Sequence, residues 1–99
     1  MIDLSRVSGF EWDEGNARKN EQHGVTQVET EDLFFDPRLL LAPDPRHSDQ
    51  EPRFHALGAT SDGRRLHVTF TLRSEGTRIR VISARDMHRK ERAAYEAQK

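Results

Sequence analysis

Cysteine is absent from the chain. Its absence removes disulfides, thiolate metal sites and thiol nucleophiles, and fits a reducing compartment. Long apolar runs are missing as well. No segment approaches the roughly 20 apolar residues that a membrane-spanning helix requires, and Met1 to Phe10 lacks the apolar core of a secretion signal. The expectation is a soluble, cytoplasmic protein with no membrane partner. The chain also has no repeat, no low-complexity tract and no Ser/Gly linker. Its one proline-rich stretch, Pro37 to Pro52 with Pro43 and Pro45 inside it, is short enough to be a loop.

What is present is a lean globular composition, 33% apolar and 33% charged in 99 residues. That apolar share lies above the range where disorder becomes the default. A chain this short closes one core, so residues 1–99 are expected to form one domain. The formal net charge of −1 conceals a division. Residues 1–52 carry five Arg and Lys against twelve Asp and Glu, and residues 53–99 carry eleven against five. Two readings fit: a basic face meant for nucleic acid, or an acidic and a basic segment that neutralise each other.

Turn and cap signals divide the chain into elements. Val7 to Asp13 reads as a short first strand, and Gly15-Asn16 opens a helical stretch that runs to His23 and stops at Gly24. Thr26 and Glu29 have capping-box spacing, which predicts a second helix from Gln27 to about Phe34, ended by Asp36-Pro37. Three runs of strand character follow, Arg53 to Thr60, Arg65 to Arg73 and Arg78 to Ala84, separated by the hairpin signals Asp62-Gly63 and Glu75-Gly76. From Asp86, placed as N-cap or first-turn anion, the helix formers of HRKERAAYEAQK predict a terminal helix. The fold class is therefore α+β: an antiparallel sheet of about four strands with two N-terminal helices and a C-terminal helix, in the order β-α-α-β-β-β-α. The apolar run Leu39 to Ala42 reads either as an exposed docking edge or as a buried strand.

Period-two alternation places Val68, Phe70 and Leu72 on one face of their strand. A three-residue Asp62-Gly63-Arg64 loop pairs Phe54 with Leu72 and Ala56 with Phe70, and sets Arg53 opposite Arg73 and His55 opposite Thr71. A two-residue Glu75-Gly76 turn pairs Leu72 with Ile79 and Phe70 with Val81, and sets Arg80 opposite Thr71. The register that gathers the apolar side chains thus gathers Arg53, His55, Arg73, Arg78 and Arg80 on the opposite face. Facing like charges destabilise a sheet, so something anionic should relieve them. Arg forks match phosphate and Lys is absent from these strands, which favours phosphate; a solvated face kept charged against aggregation is the plainer reading.

The segments FEWDEGN, KNEQHGV, DLFFDP, EPRFHALG, FTLR and RVISARDMHRKER occur in this order, and together they resemble the BrnT toxins over nearly the whole chain. The resemblance implies a RelE-like fold and a metal-independent endoribonuclease that needs no cofactor, cuts messenger RNA and arrests translation. It also implies a BrnA-like antitoxin with a ribbon-helix-helix domain, in a 2:2 complex that binds operator DNA. Carried over residue by residue, the positions of interest are His23, Glu51, Arg53, Arg73, Arg80 and Arg85. One position departs: the family usually has Lys directly before the histidine of HGV, and here Gln22 stands there. That departure keeps a second function open, a catalytically weak or inactive homologue that binds RNA or antitoxin and serves as operator co-repressor.

Metal-independent cleavage uses the substrate's own 2′-hydroxyl as nucleophile. His23 is the expected proton-transfer group, since imidazole titrates near neutrality; a helix-terminal histidine at Gly24 is the structural alternative. Arg53, Arg73, Arg80 and Arg85 cannot easily give up a proton and are expected to hold the transition-state charge. Glu51 either orients an arginine, acts as base, or is a surface carboxylate. His47, His55, His67 and His88 lack metal-ligand spacing. On the terminal helix, Arg89, Lys90 and Arg92, with Arg78 from the sheet, are candidate RNA contacts. Tyr95 either stacks on a base or packs with Met87 and Ala94 on the sheet.

Overall fold

The computed structural model describes residues 4–15, 18, 23–47 and 51–98. Its elements are β1 (Gly9–Glu11), α1 (Gln27–Leu33), β2 (Leu40–Pro43), a 3-10 turn (Pro45–His47), β3 (Arg53–Ala59), β4 (Arg65–Arg73), β5 (Arg78–Asp86) and α2 (Arg89–Ala97). The strands form one sheet in the order β1-β5-β4-β3-β2. β1 runs parallel to β5 and every other pair is antiparallel. The α+β class stands, but the sheet is five-stranded and mixed rather than antiparallel with about four strands. The added strand is β2, an edge strand formed by the Leu40 run inside the proline-rich stretch. The helix expected from Gly15 to His23 lies largely outside the described residues, where Glu14, Gly15 and Arg18 have helical backbone.

α1 begins as its sequence dictates. The Glu29 amide donates to Thr26 Oγ1 at 3.1 Å, and the Glu29 carboxylate accepts from the Thr26 amide at 3.0 Å, so two orphan donors are satisfied reciprocally. α2 begins later than expected. Asp86 is the last residue of β5, and His88 is the N-cap, its amide donating to the Glu91 carboxylate at 2.8 Å.

The first hairpin differs in register from expectation by two residues: Phe54 pairs with Phe70, Ala56 with Val68, Arg53 with Thr71 and His55 with Thr69. The three-residue loop is Ser61-Asp62-Gly63, closed by the Thr60 amide donating to the Arg64 carbonyl at 2.9 Å. Gly63, at φ +86°, takes the left-handed position that ends such loops. A slip of one residue in the loop shifts pairing by two, and because side chains alternate with period two the faces are unchanged. The second hairpin has the expected register, Leu72 with Ile79 and Thr71 with Arg80. Glu75 and Gly76 both have positive φ, 57° and 86°, in a turn whose twist suits the flanking strands.

β5 contains a bulge. Thr69 pairs with Ser83 and Phe70 with Val81, leaving Ile82 as an extra residue. The bulge changes which parity faces the core, from Ile79 and Val81 to Ala84. It therefore puts Arg85 on the same face as Arg80, where regular alternation would have turned it inward.

The core lies between the sheet and α1: Val25, Leu33, Ala56, Leu66, Val68, Phe70, Ile79, Val81 and Ala84 are buried. The Phe34 ring meets Phe70 edge-on at 5.2 Å. α1 approaches β3 so closely at Gly58 that an added Cβ would stand 2.9 Å from Leu33 Cγ and from Leu39 Cδ1. Gly58→Ala is expected to destabilise the fold by about 1–3 kcal/mol through overpacking, read as a lower urea midpoint with an unchanged slope.

α2 covers part of the opposite face. Met87 and Tyr95 are buried, whereas Ala94 is exposed and takes no part in the docking. The Tyr95 hydroxyl donates to Asp36, with the guanidiniums of Arg38 and Arg65 lying 5.2 and 6.0 Å from its ring centre. A base-stacking role for Tyr95 is thereby replaced by a structural one.

Candidate functional site

Pairing across the strands arranges the face away from α1 in rows. Arg53, Thr71, Arg80 and Glu11 form one row across β3, β4, β5 and β1. Arg73 and Arg78 form the next row toward the β4–β5 turn. On the other side, His55, Thr69 and Ser83 form a row, followed by Leu57, His67 and Arg85. α2 lies over this last row, its Glu91 gripping Arg85 at 2.8 and 2.9 Å.

The arginines relieve one another's repulsion through carboxylates of the chain itself. Arg80 donates to Asp13 and lies 3.9 Å from Glu11; Arg73 donates to Glu51 at 3.1 Å. The Arg73–Glu51 pair is open to water, with side chains 40% and 37% exposed, and the Arg80–Asp13 pair is partly open, at 28% and 39%. Such exposed pairs are worth about 0–1 kcal/mol each, so an incoming phosphate displaces them at small cost. Arg85 differs. Its bidentate hold pulls the Glu91 carboxyl down to about 2, with burial opposing and the His88 amide assisting. This arginine fixes α2 to the sheet.

Glu51, Arg53, Arg73, Arg78 and Arg80 are thus brought together at one end of the face. His23 is not among them. It is exposed in the turn before Gly24, whose carbonyl accepts from Arg64 at 2.8 Å; Arg64 in turn holds Asp86 at the far end of β5. Asp86 stands six residues beyond Arg80, about 20 Å along a strand. Gln22 lies outside the described residues. Arg89, Lys90 and Arg92 are exposed on α2.

The histidine beside the arginines is His55, two residues from Arg53 on the same face. Its Nε2 lies 3.0 Å from Asp44 Oδ2, and its Nδ1 3.1 Å from Thr69 Oγ1. Asp44 sits between β2 and the 3-10 turn; its amide donates to the Arg53 carbonyl at 2.8 Å, and its Oδ1 accepts from the Arg46 amide at 3.2 Å. Alternation placed His55 on this face from sequence, but nothing in the Pro43-Asp44-Pro45 stretch announced its carboxylate partner.

His67 stacks against His55 with ring centres 4.8 Å apart. It is buried, and burial together with the Arg85 charge pushes its pKa down to about 4. The fold therefore refuses a proton that the unfolded chain accepts below about 6.5. Stability is complete above pH 6.5 and is lost as pH falls toward 4. Between pH 7 and 5 this one group is expected to remove about 2 kcal/mol. His67→Val should flatten the pH dependence of the urea midpoint by that amount.

Comparison with known proteins bears on this arrangement. The family model described as the ribonuclease toxin BrnT of type II toxin-antitoxin systems matches residues 12–91. Among solved structures, the crystal structure of the Brucella abortus ribonuclease toxin BrnT aligns with a TM-score of 0.59, covering 84% of this chain and 100% of that one at 21% identity. That likeness concerns the fold. No curated protein matches the chain.

Proposed function

Because the chain belongs to the BrnT family of ribonuclease toxins of type II toxin-antitoxin systems, we propose that it is a cytoplasmic, metal-independent endoribonuclease. It cleaves messenger RNA and arrests translation until an antitoxin neutralises it. The observation that carries this reading is the Arg53–Thr71–Arg80 row, flanked by Arg73 and Arg78. Planar guanidinium forks on adjacent strands suit the oxygens of a phosphodiester, and their charge stabilises a phosphorane-like transition state. We read the sheet and its helices as RelE-like. Arg85, Arg89, Lys90 and Arg92 lie further along the path an RNA strand would follow, and Glu51 orients Arg73. The antitoxin is read as a BrnA-like ribbon-helix-helix protein in a 2:2 complex that binds operator DNA.

Purified protein incubated with a short RNA in EDTA tests the reading. Products with 2′,3′-cyclic or 3′-phosphate ends support it; intact RNA that is nonetheless tightly bound supports a second reading. In that second reading the chain is a catalytically silent homologue that binds RNA or antitoxin and assists operator repression. The internal pairing of Arg73 and Arg80 and the Gln22 departure favour it.

A further inference from the structure

We propose that His55 is a catalytic residue of this RNA cleavage, taking the proton from the 2′-hydroxyl of a ribose whose 3′-phosphate is held by Arg53. The proposal rests on the ribonuclease reading above and adds a residue that is not among the positions carried over from the family.

Two open cavities meet at His55. One, of about 390 Å³, is lined by Asp44, Arg46, Arg53, Thr69, Ile82 and Ser83 as well as His55; with the Asp44 carboxylate engaged by His55 and the Arg46 amide, its two arginines suit it to a phosphate. The other, of about 340 Å³, is lined by Leu40, Ala42 and Leu57 with His67 and Glu91, and again by His55. Its apolar walls suit a flat base. A nucleotide with phosphate in the first cavity and base in the second carries its ribose across the imidazole between them.

The imidazole is oriented for the task. Asp44 is 8% exposed, and its carboxylate is fixed by the Arg46 amide at one oxygen, so the other oxygen accepts from His55 Nε2. Carrying the proton on Nε2 leaves Nδ1 as the acceptor. In this structure Nδ1 accepts from the Thr69 hydroxyl at 3.1 Å, and a ribose hydroxyl takes that place once the Thr69 side chain turns about its Cα–Cβ bond. The His55 side chain is 34% exposed and lines both cavities.

In the step, the O2′–P bond forms while the P–O5′ bond breaks. The 2′-hydroxyl proton passes to Nδ1, and the leaving O5′ takes a proton from water. The hydroxide so formed is neutralised by the imidazolium, which restores the enzyme. The products are a 2′,3′-cyclic phosphate and a 5′-hydroxyl. Asp44 acts as a positioning residue through His55.

The test uses the full chain, single-turnover cleavage of a short RNA in EDTA, and binding of the same sequence made uncleavable by 2′-O-methylation. His55→Gln is expected to lower the cleavage rate at least about a hundredfold, within the range of a lost general base, while binding stays within about threefold of the parent. Free imidazole should restore part of the activity of His55→Ala, and Asp44→Asn should lower the rate without altering binding. Cleavage by His55→Gln within about threefold of the parent overturns the assignment and leaves the ribonuclease reading standing. A loss of binding equal to the loss of rate also overturns it, since His55 is then a binding group. A parent protein that yields neither cyclic-phosphate nor 3′-phosphate ends overturns the ribonuclease reading and this proposal with it.

Discussion

Arg80→Ala is expected to slow RNA cleavage about a hundredfold, corresponding to about 3 kcal/mol of lost transition-state stabilisation. Arg80 and Arg53 flank Thr71 on neighbouring strands, so their Cα atoms stand about 10 Å apart, a span that two long side chains close onto one phosphate. Arg53→Ala should have an effect of similar size. If both hold the same phosphate, the double variant should lose less than the product of the single losses, because the groups act as a unit. Stability should change little. Arg80 leaves behind Asp13 and Glu11, whose side chains are 39% and 38% exposed, and water takes over their solvation. Single-turnover rates measured beside thermal midpoints separate lost chemistry from lost fold.

Arg64→Ala is expected to do the opposite, unfolding the protein more readily without touching the phosphate row. Its guanidinium donates to Asp86 at 2.8 and 3.1 Å, to Glu29 at 3.0 and 3.1 Å, and to the Gly24 carbonyl at 2.8 Å. One side chain thereby fastens the β3–β4 turn, the end of β5 and the entry to α1. Its charged form is favoured chiefly by the Asp86 carboxylate and then by Glu29, so its pKa is raised. Removing it leaves two carboxylates beside each other and a carbonyl without its donor. The cost is about 1–3 kcal/mol, because the two ion pairs are partly open to water and the charge-assisted bond to the Gly24 carbonyl adds to them. For a domain of this size that lowers the melting temperature by about 5–20 °C. A melting curve of Arg64→Ala checks it; a midpoint within a few degrees of the parent would show that the three elements hold together without Arg64.

The sequence showed the sheet faces better than the sheet itself. Alternation in RLHVTFTLR and the Glu75-Gly76 turn were enough to place Arg53, His55, Arg73, Arg78 and Arg80 on one side, and the structure keeps them there. Those signals are local. Partners chosen by tertiary packing were out of reach: β1 lying parallel to β5, and the Leu40 run pairing with β3 inside a stretch whose prolines read as loop. The first hairpin slipped because Asp62-Gly63-Arg64 and Ser61-Asp62-Gly63 are equally good turn sequences until Gly63 is assigned the left-handed position. The bulge at Ile82 carries no glycine to mark it, and with regular alternation Arg85 would point into the core. Asp86 was misplaced for a related reason. An acidic residue before helix formers is a good cap, but Arg64 holds Asp86 as the end of β5.

The candidate site was legible where it depended on pairing and illegible where it depended on loops. His23 stood out because it lies in a family motif, yet the turn that carries it is tied through Gly24 and Arg64 to the far end of the sheet. His55 stood in the alternation from the start. Its importance appears only once Asp44, from a segment between β2 and the 3-10 turn, is seen to meet Nε2.

The claim on which the rest depends is that the Arg53–Thr71–Arg80 row is a phosphate site. The most direct measurement is a titration of the arginine Nε–Hε resonances with a 2′-O-methylated RNA, which binds without being cut. Saturable shifts at Arg53, Arg73 and Arg80, with Arg38 and Arg64 unmoved, are the predicted result. Shifts confined to Arg89 and Arg92 on α2, with the sheet arginines unmoved and still paired to Glu51 and Asp13, would contradict it.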